Sequence, residues 1–521
     1  MNMFLQRFSE KIKGCINGFD RIVFKGSIQR LMYTAGATMF FNSIGILNTD
    51  YKSWVMTQSK QIIDGAEKYA HSKCGCGIQP IPSSKERKES LAHKRQQELG
   101  LEHGLIGAWS CVEACSTYRA HYDATAGYPQ LRFGYSRCKH LYFYYDHADF
   151  GFMSIRLQTW FPYGIQIALN GREWLRRSLE KEGIEFVVHG NKFLHIGDYK
   201  RAQELLNTQI DTRWVKLLDD FLPQIFPSME KILGSELSYY WTLWQSEWAT
   251  DHIFSDPSIL RQLIDRLLRH ALMTGTCERV LRYMGRPVDV NGQPHPRANP
   301  EVISRANVWY EGTRVRHWVD KNSVKMYNEH NVLRTEMTMN NPGMFRVYRH
   351  PQTQSSSGSK RRMPLRKGIA DIAVRTQVAS DINQRFMDQM ATLNDDSPVQ
   401  DVLKDITRSY KLKGRPVRAL DITGKDRELL LALADPKYNV SGITNKFLQK
   451  TLKNTTWAKN GSTKQLSARI SRHLCLLRHH GLIRKLPNQR KYMLTTKGKK
   501  LTSALNALLA ASIQQLMEIA A

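Results

Sequence analysis

Residues 463–500, TKQLSARISRHLCLLRHHGLIRKLPNQRKYMLTTKGKK, decide how the carboxyl-terminal part of this chain folds. Apolar residues recur there in steps of four, four and three, which predicts an amphipathic helix with one buried stripe. The stripe consists of Leu466, Ile470, Leu474 and Leu477. Ser462 is a favourable residue to cap the start of this helix, and Gly481, which tolerates a positive φ, ends it. The segments LIRKL and KYMLT then predict two short strands joined by a polar turn.

Two further helices are predicted upstream, in GKDRELLLALADP (424–436) and SGITNKFLQKTL (441–452). Three helices followed by a two-stranded wing have the order of a winged helix, a helix-turn-helix variant whose third helix enters the DNA major groove. Residues 476–486 (LLRHHGLIRKL) and 492–501 (YMLTTKGKKL) resemble the winged domains of bacterial MarR- and ArsR-type regulators. The resemblance implies DNA binding, and a winged helix used only for protein contacts is the alternative.

The charge of the chain points to a polyanionic partner. The net charge is +29 and the sequence pI is near 9.8. Residues 441–500 contain 15 Lys and Arg but no Asp or Glu. A cationic surface of one sign predicts phosphate contacts and salt-sensitive binding. The residues expected to contact nucleic acid in this region are Lys464, Gln465, Arg469, Arg472, His473, Arg484, Lys485, Arg490 and Lys491.

Length and composition limit the class of protein. A chain of 521 residues with 41% apolar residues is expected to fold into several domains. No run of 18 apolar residues is present, so we expect no membrane partner. Charges at Arg7, Glu10, Lys11 and Lys13 interrupt the apolar core that a secretion signal needs. Eight cysteines in a chain of this length favour a reducing compartment, and the predicted location is the cytoplasm.

The fold class predicted is a multidomain α+β chain with a mixed α/β body and a carboxyl-terminal winged helix-turn-helix. Strands and helices alternate in the body, in an order compatible with a ferredoxin-like sheet. The predicted segments are 1–104, an N-terminal mixed α/β region and charged linker; 105–210, an α+β sheet domain; 211–285, a helical region; 286–350, a β-rich segment completing the body; 351–414, a basic linker and long helix; and 415–521, the winged-helix nucleic-acid-binding domain.

The helical region carries one candidate pair of acids. Residues 212–285 are rich in Trp and Leu, which favours helices. Within them, SEWATD places Glu247 and Asp251 four residues apart, on one face of the predicted helix. The two side chains are a candidate catalytic pair or simply solvated charges.

A second candidate site for metal-assisted chemistry lies in YYDHADFGFMSIRLQ (144–158). Asp146 and Asp149 are predicted Mg²⁺ ligands, and Glu113 is placed on a plausible neighbouring strand. Carboxylates at strand ends hold Mg²⁺, which stabilises the oxygens of a phosphodiester during cleavage. The alternative is an ordinary polar turn between two strands.

A pattern of K-x-Y followed by L-R-x-E contributes the fourth catalytic candidate, Glu336. Its residues are Lys325, Tyr327, Leu333, Arg334 and Glu336. They resemble the strand pair in the nicking domains of filamentous-phage and rolling-circle plasmid replication initiators. The resemblance implies strand cleavage by a tyrosine beside a histidine-held metal, but this chain has no histidine pair around a single hydrophobic residue. The alternative is a cross-strand ion pair of Arg334 with Glu336.

Cysteine and histidine residues offer a structural Zn²⁺ site as an alternative cofactor. Within a short part of the chain lie Cys74, Cys76, Cys111, Cys115, Cys138 and His140. Four such ligands can close a tetrahedral zinc site, although the spacings differ from the usual C-x₂-C. Buried free thiols are the alternative.

Three stretches also resemble a group of uncharacterised bacterial proteins: FDRIVFKG (19–26), residues 152–175 and VKMYNEHNVLRTE (324–336). That resemblance implies a mobile-element setting and supplies no reaction. In the body, basic residues interleave with aromatic ones, and the candidates for nucleic-acid contact are Arg156, Lys321 and Lys325.

These observations together predict a nucleic-acid-binding protein of bacterial mobile-element type. DNA is favoured over RNA, and metal-dependent strand cleavage or the initiation of replication or recombination is an added activity. The alternative is a non-catalytic DNA-binding regulator or a partner of structured RNA. Whether the protein is an enzyme stays open in the sequence, and a homodimer is compatible with it.

Overall fold

In the computed structural model, the structure describes residues 3–285 except 82, 84 and 85; 301–349 except 310 and 311; and 360–391. Further along the chain it describes residues 403–404, 406–412, 414–433, 438, 442–458, 462–486, 490–495, 497–498, 501–502 and 504–505.

The described residues form a mixed α/β protein. The strands are β1 (Ile12–Ser27), β2 (Gln79–Pro80), β3 (Gly104–Asp123), β4 (Tyr128–His147), β5 (Gly151–Gln158), β6 (Ile165–Asn170), β7 (Phe186–His189), β8 (Lys192–Ile196), β9 (Tyr240–Phe254), β10 (Val302–Trp309), β11 (Gly312–Val319), β12 (Asn322–Glu329), β13 (Val332–Met339), β14 (Arg346–Arg349), β15 (Arg361–Pro364), β16 (Tyr410–Leu412), β17 (Arg415–Val417), β18 (Ile483–Lys485) and β19 (Tyr492–Leu494). The helices are α1 (Met3–Arg7), α2 (Thr34–Ser43), α3 (Tyr51–Cys74), α4 (Lys88–Leu99), α5 (Gly171–Lys181), α6 (Tyr199–Ile210), α7 (Trp214–Asp219), α8 (Leu222–Ile225), α9 (Met229–Leu233), α10 (Pro257–Met273), α11 (Cys277–Tyr283), α12 (Ile372–Met390), α13 (Arg427–Leu433), α14 (Asn445–Leu452) and α15 (Thr463–His479).

The chain divides into two compact units. The sheet unit comprises Lys11–Leu260 and Lys321–Asn383. The second unit comprises Met1–Glu10, Arg261–Asp320 and Gln384–Ala521. The described residues of the second unit from 403 onward are called the C-terminal lobe.

The sheet unit is built around nine strands in the order β12-β13-β9-β1-β6-β5-β4-β3-β2. All neighbouring pairs in it are antiparallel except β2 with β3, so the sheet is mixed. Strands β3 to β6 follow one another as a meander, and β7 pairs only with β8. This order differs from the ferredoxin-like arrangement predicted for residues 105–210. The reason is that a tight turn joins the long strands β3 and β4, which makes them pair directly instead of through a crossover helix.

Helices α5 and α6 cover β1 and bury its apolar residues. Leu175 and Leu179 of α5, together with Leu206 of α6, pack against Ile16 in one apolar cluster. Each fully buried leucine of this kind contributes about 1.5–3 kcal/mol. Gly18 on β1 allows this close approach, because a Cβ atom there would lie 2.8 Å from the Leu206 side chain.

The prediction that residues 212–285 are entirely helical is wrong for Tyr240–Phe254, which form β9. Residues from Trp248 to Phe254 are nearly all buried, because β9 lies inside the sheet between β1 and β13. A strand covered on both faces loses the alternation of apolar and polar residues that reveals a strand in sequence. Glu247 and Asp251 therefore lie on a strand and not on a helix.

The C-terminal lobe confirms the local elements predicted from residues 463–500. Helix α15 begins at the Ser462 cap, and the four predicted apolar residues are its buried ones. Strands β18 and β19 pair antiparallel, and helices α13 and α14 precede them. These elements share one apolar core, in which Leu448 of α14 and Leu430 of α13 are fully buried.

Two other predictions concern linkers and membranes. The first part of the basic linker predicted within 351–414 lies outside the described residues, and Arg361–Pro364 pair with β14 as β15. The charged stretch before residue 104 contains helix α4. Among the described helices, none has the length and apolar character needed to cross a bilayer.

Candidate nucleic-acid interface and carboxylate cluster

The start of helix α15 is set by a capping box. The Ser462 hydroxyl accepts from the backbone N–H of Gln465, and the Gln465 side chain accepts from the backbone N–H of Ser462. This reciprocal pair satisfies two backbone donors that a helix start leaves without partners. Gln465, predicted to contact nucleic acid, is therefore engaged in capping, while its neighbour Lys464 is exposed.

Helix α15 and the hairpin after it present exposed cations. Arg472 and Arg478 project from α15, and Arg484 and Lys485 lie exposed on β18. Arg490 is exposed at the start of the returning strand, and Lys491 is half-buried. Because the only charged residues between 441 and 500 are cationic, no acidic neighbour within that stretch neutralises these side chains.

Two predicted contact residues on α15 are held by internal contacts. The Arg469 guanidinium donates to the carbonyl oxygen of Trp457 at 2.5 Å and stacks on its indole ring at 4.2 Å. The His473 Nε2 atom lies 3.6 Å from a carboxylate oxygen of Asp426. We therefore assign Arg469 and His473 to the packing of the lobe, because their polar groups already have protein partners.

Asp426 anchors this side of the lobe. Its side chain is fully buried and accepts hydrogen bonds from Arg418 at 2.6 and 2.7 Å and from the backbone N–H of Asp421 at 2.9 Å. Burial acts to raise the pKa of Asp426, but the hydrogen bonds from Arg418 and His473 outweigh it, so the pKa lies well below its ordinary value.

The sheet unit contains a different arrangement, a carboxylate cluster formed by Asp20, Glu247 and Glu336. Each side chain offers an oxygen atom, and these three atoms lie within 4.8 Å of one another. The residues come from β1, β9 and β13, which are neighbours in the sheet. Asp20 and Glu336 are buried and Glu247 is half-buried.

Polar side chains around the cluster hold two of the three carboxylates. The Lys325 ammonium lies 2.6 Å from Glu336, and the Tyr327 hydroxyl donates to Glu336 at 3.4 Å. The Asn191 amide donates to Asp20 at 2.5 Å. Among the described residues, no Lys or Arg forms an ion pair with Glu247.

Next to the cluster lies a fully buried ion pair. Arg334 donates to Asp251 at 2.6 and 2.9 Å, and its third nitrogen lies 3.3 Å from Asp20. Arg172 lies 3.1 Å from Asp251 on the other side. The side chain of Asn170 caps α5 by accepting from the first N–H groups of the helix, which places Arg172 in the first turn.

The charges in this region do not cancel. Four carboxylates, Asp20, Glu247, Asp251 and Glu336, face three cationic side chains, Arg172, Arg334 and Lys325. A fourth cation, Lys192, also acts on Asp251, but its ammonium is paired with Glu329. Burial of Asp251 acts to raise its pKa, but Arg334 and Arg172 outweigh it, so this pKa is lowered and the group is ionised. The excess negative charge therefore falls on the other three acids.

Burial and mutual repulsion act on the remaining acids. Burial raises the pKa of Glu336, Lys325 acts against this, and the charge of Glu247 raises it further. Burial also raises the pKa of Asp20 against the effect of Arg334, and the charge of Glu336 adds to the rise. A proton or a cation bound among these oxygens relieves the repulsion.

The donor set fits a hard divalent cation. Three carboxylates with no nitrogen or sulfur ligand are the donors that Mg²⁺ and Mn²⁺ prefer. One Glu336 oxygen already contacts the Lys325 ammonium, so a cation bound there would share that oxygen with Lys325. Glu247 is the member best placed to receive a cation, because it is half-buried and has no cationic partner among the described residues.

The structure does not bring together the four carboxylates predicted as a catalytic group. Glu113 pairs with Cys138 on β4, while Asp146 lies eight residues further along β4, about 26 Å away at the rise of a strand. Glu336 lies on β13, five strands from β4, or about 24 Å. Only Glu336 belongs to the observed cluster.

Each of the other three predicted carboxylates has its own cationic partners. Asp146 lies 2.7 Å from Arg177, and Asp149 lies 2.7 Å from Lys181. Glu113 contacts Lys88 and Arg156. Asp146 and Asp149 are therefore ion-paired residues at the β4–β5 turn. Among the residues that the structure describes, no third carboxylate lies close enough to share a metal with them.

The body residues predicted to contact nucleic acid differ in their surroundings. Lys321 is exposed at the turn before β12. Lys325 is buried and paired with Glu336, so its ammonium is not on the surface. Arg156 is one-third exposed and lies 3.1 Å from Glu113.

The cysteines predicted as zinc ligands do not form a four-ligand site in the part of the chain that the structure describes. Cys76 accepts a hydrogen bond from Arg95 at 2.7 Å. Cys111 is buried in the apolar cluster that contains Trp109. Cys138 lies 4.0 Å from His140, and no group of ligands other than the carboxylate cluster is close enough to hold a metal among the described residues.

Asp20 was not predicted as a site residue from the sequence. Glu247 was predicted beside Asp251, but not beside Glu336. Asp20 lies in FDRIVFKG, a stretch that the sequence marks only by its resemblance to uncharacterised bacterial proteins. The signal that could have found it is an acid in the middle of an apolar strand, because a buried carboxylate needs a cation or hydrogen-bond donors. Nothing local in the sequence indicates that β1, β9 and β13 are neighbours.

No family model matches the chain, and neither a curated protein nor a solved structure matches it. The likeness of residues 476–486 to winged domains, and that of residues 324–336 to replication initiators, therefore stay predictions from sequence. What the protein does must be inferred from its own residues and geometry.

Proposed function

We propose that this protein binds nucleic acid, with duplex DNA as the favoured ligand, through a winged helix formed by α13, α14, α15 and the β18–β19 hairpin. The observation that carries the proposal is the exposed cationic surface of α15 and β18, which we call the cationic surface: Lys464, Arg472, Arg478, Arg484 and Lys485. In this arrangement α15 enters the major groove and the hairpin contacts the flanking backbone. A bacterial mobile-element setting and a cytoplasmic location belong to the same proposal.

The proposal depends on the difference between the two faces of α15, of which one is apolar and buried and the other is cationic and exposed. Four apolar residues bind one face of α15 to the core, so the opposite face is presented as a rigid surface. Cations on a rigid helix neutralise phosphates and release condensed counterions, which makes the affinity fall steeply with salt. The absence of Asp and Glu from 441–500 leaves this attraction unopposed within the stretch.

The test is the triple variant Arg472→Gln, Arg484→Gln, Lys485→Gln, with duplex DNA binding measured by fluorescence anisotropy over a series of salt concentrations. We expect the slope of log affinity against log salt to fall by about 3, because each lost phosphate contact removes roughly 0.9. Duplex RNA and single-stranded DNA measured in parallel establish which nucleic acid is preferred.

A matched control removes the same charge from another surface of the same unit. Arg261, Arg266 and Arg269 are exposed on α10, and their replacement by Gln changes the net charge equally. We expect this control to retain most of the affinity. Equal losses in both variants, or no loss in the first, would contradict the assignment of the cationic surface.

A second candidate function, metal-dependent phosphodiester cleavage, is favoured by one observation: the gathering of Asp20, Glu247 and Glu336 on three neighbouring strands. A divalent cation bound by these carboxylates would polarise a phosphate oxygen and supply a nucleophilic water near neutral pH. The Lys325 ammonium, 2.6 Å from Glu336, orients that carboxylate within the cluster.

The cleavage test compares Glu247→Gln with the natural protein on labelled DNA, with and without Mg²⁺ or Mn²⁺. We expect cleavage to be lost while DNA binding is retained, because Glu247 is remote in sequence from the cationic surface. Mn²⁺ should raise the melting temperature of the natural protein but not of the variant. Cleavage by the variant, or the absence of any metal-induced stabilisation in the natural protein, would exclude this function.

A further inference from the structure

A cleft of about 560 Å³ lies between α4 and one face of the sheet, and neither proposed function uses it. Its lining includes Arg21 of β1, Tyr142 of β4, Arg156 of β5, Gln166 of β6 and Lys88 of α4. All of these residues belong to the sheet unit. The volume is within the range of sites that bind small molecules.

The cations in the cleft are held in place by a half-buried carboxylate. Glu113 lies 2.9 Å from the Lys88 ammonium and 3.1 Å from the Arg156 guanidinium, and it accepts from the Tyr142 hydroxyl at 2.5 Å. Burial acts to raise the pKa of Glu113, but hydrogen bonds from Tyr142 and Lys88 outweigh it, so the pKa is lowered and the group is ionised. One carboxylate thus orients two cations and leaves an excess positive charge.

Arg156 retains an unused donor. Its Nε atom is buried and has no hydrogen-bond partner among the described residues. Across the neighbouring strands, Arg156 pairs with Gln166, and Gln166 pairs with Lys25. Burial and the nearby Arg156 lower the pKa of Lys25, which is the response of an ammonium close to another cation.

The wall of the cleft also offers a planar surface. His93 of α4 stacks on Phe152 with the ring centroids 3.8 Å apart, and it is exposed where it lines the cleft. A ring supported on one face can stack a second planar group on the other. Two acids, Glu86 and Glu89, also line the cleft, and Glu89 is engaged with Arg21 at 3.8 Å.

We propose that this cleft binds a nucleoside phosphate, with Arg156, Lys88 and Arg21 on the phosphate and His93 stacked on the base. Guanidinium groups recognise phosphate oxygens by paired hydrogen bonds, and here one of them is preoriented by Glu113. The ligand is either a free mononucleotide or the terminal nucleotide of a strand, since both present the same phosphate and base.

The test measures binding of AMP to the full-length protein by isothermal titration calorimetry, beside inorganic phosphate and two dinucleotides that differ only in a 5′-phosphate or 5′-hydroxyl. We expect AMP or the 5′-phosphorylated dinucleotide to bind at least tenfold more tightly than inorganic phosphate. Binding of AMP identifies a free nucleotide, and binding of the phosphorylated dinucleotide alone identifies a strand end. A 5′-phosphate also adds negative charge that the cationic surface attracts, so the two dinucleotides are compared again in the triple variant Arg472→Gln, Arg484→Gln, Lys485→Gln, in which the preference for the phosphorylated one should persist.

Two variants locate the site. Arg156→Gln and Arg21→Gln should each weaken binding at least tenfold, and the exposed Arg21 provides a variant with little risk to folding. Arg132→Gln, on the same strand as Tyr142 but paired with Asp123 at the far turn, should leave binding unchanged. The proposal is overturned if neither AMP nor either dinucleotide binds, or if both cleft variants bind as the natural protein does.

Discussion

The carboxylate cluster with its buried ion pairs and the cationic surface place charge in opposite ways. In the sheet unit, acids and bases are buried together, and Arg334 contacts Asp251 and Asp20 with no exposure to water. In the C-terminal lobe, cations such as Arg472 and Arg484 are exposed and have no acidic neighbours in sequence. Buried charges must be paired to be tolerated, whereas exposed charges of one sign remain available to a ligand.

The boundary between these roles can run through a single helix. On α15, Arg469 is stacked on Trp457 and donates to its carbonyl oxygen, while Arg472, three residues later, is exposed. Residue type alone therefore does not separate an arginine that stabilises the lobe from one that is available for phosphate. Variants of both regions test that distinction.

Removing the buried guanidinium should be the most damaging change. Arg334→Met leaves Asp251 with only Arg172 and leaves Asp20 without its nearest cation, at an expected cost of about 3–5 kcal/mol in the free energy of unfolding. Chemical denaturation followed by tryptophan fluorescence measures it. The matched control Arg201→Met breaks an exposed pair with Glu182 and should leave the denaturation midpoint unchanged. Similar midpoints for both variants would contradict the role given to the buried pair.

Asp426→Asn should weaken the C-terminal lobe by about 2–3 kcal/mol, because it replaces charge-assisted hydrogen bonds with neutral ones. Hydrogen exchange of peptides from α13 and α15 measures the loss. Since the pKa of Asp426 is lowered on folding, its contribution is complete above pH 5 and declines as the pH falls below about 4. The difference between the variant and the natural protein should therefore shrink in acid. If the stability difference between the variant and the natural protein grew as the pH fell, this assignment would be refuted.

The pair Arg472→Ala and Arg469→Ala separates binding from packing on α15. The first variant should weaken DNA binding about five- to tenfold without changing hydrogen exchange in the lobe. The second should lower protection of α15 by about 1–2 kcal/mol, because it removes a stacked cation and a hydrogen bond. If Arg469→Ala affected binding alone, Arg469 would belong to the cationic surface after all.

Glu247→Gln should have the smallest effect and the opposite sign. Without metal, removing one of three close carboxylates should raise the free energy of unfolding by about 1 kcal/mol. Because the pKa of Glu336 is raised on folding, the contribution of that group to stability is present below about pH 4 and is lost as the pH rises through the raised pKa. The gain in the variant should therefore be largest at neutral pH. Thermal unfolding at pH 5 and pH 8 measures it, and destabilisation at pH 8 would show that the three acids do not repel one another.

Elements with a local pattern could be predicted from the sequence. The cap at Ser462, the apolar stripe of α15 and the end of the helix at Gly481 depend on residues within one or two turns of each other. The α+β character predicted for residues 105–210 is likewise present, as the strands β3 to β8 with helices α5 and α6. The strand β9 was missed because it is covered on both faces, so that its apolar residues do not alternate.

The residues of 441–500 alone account for an amphipathic helix and a basic hairpin with no Asp or Glu in that stretch. Which buried charges meet depends instead on the tertiary structure. Asp20, Glu247 and Glu336 are brought together because β1, β9 and β13 are neighbours in one sheet, and strand order depends on long-range pairing. The cleft beside Glu113 arises in the same way, since its cations come from separate strands and a helix. Helical periodicity is a property of adjacent residues, whereas the position of a buried charge depends on every strand beside it.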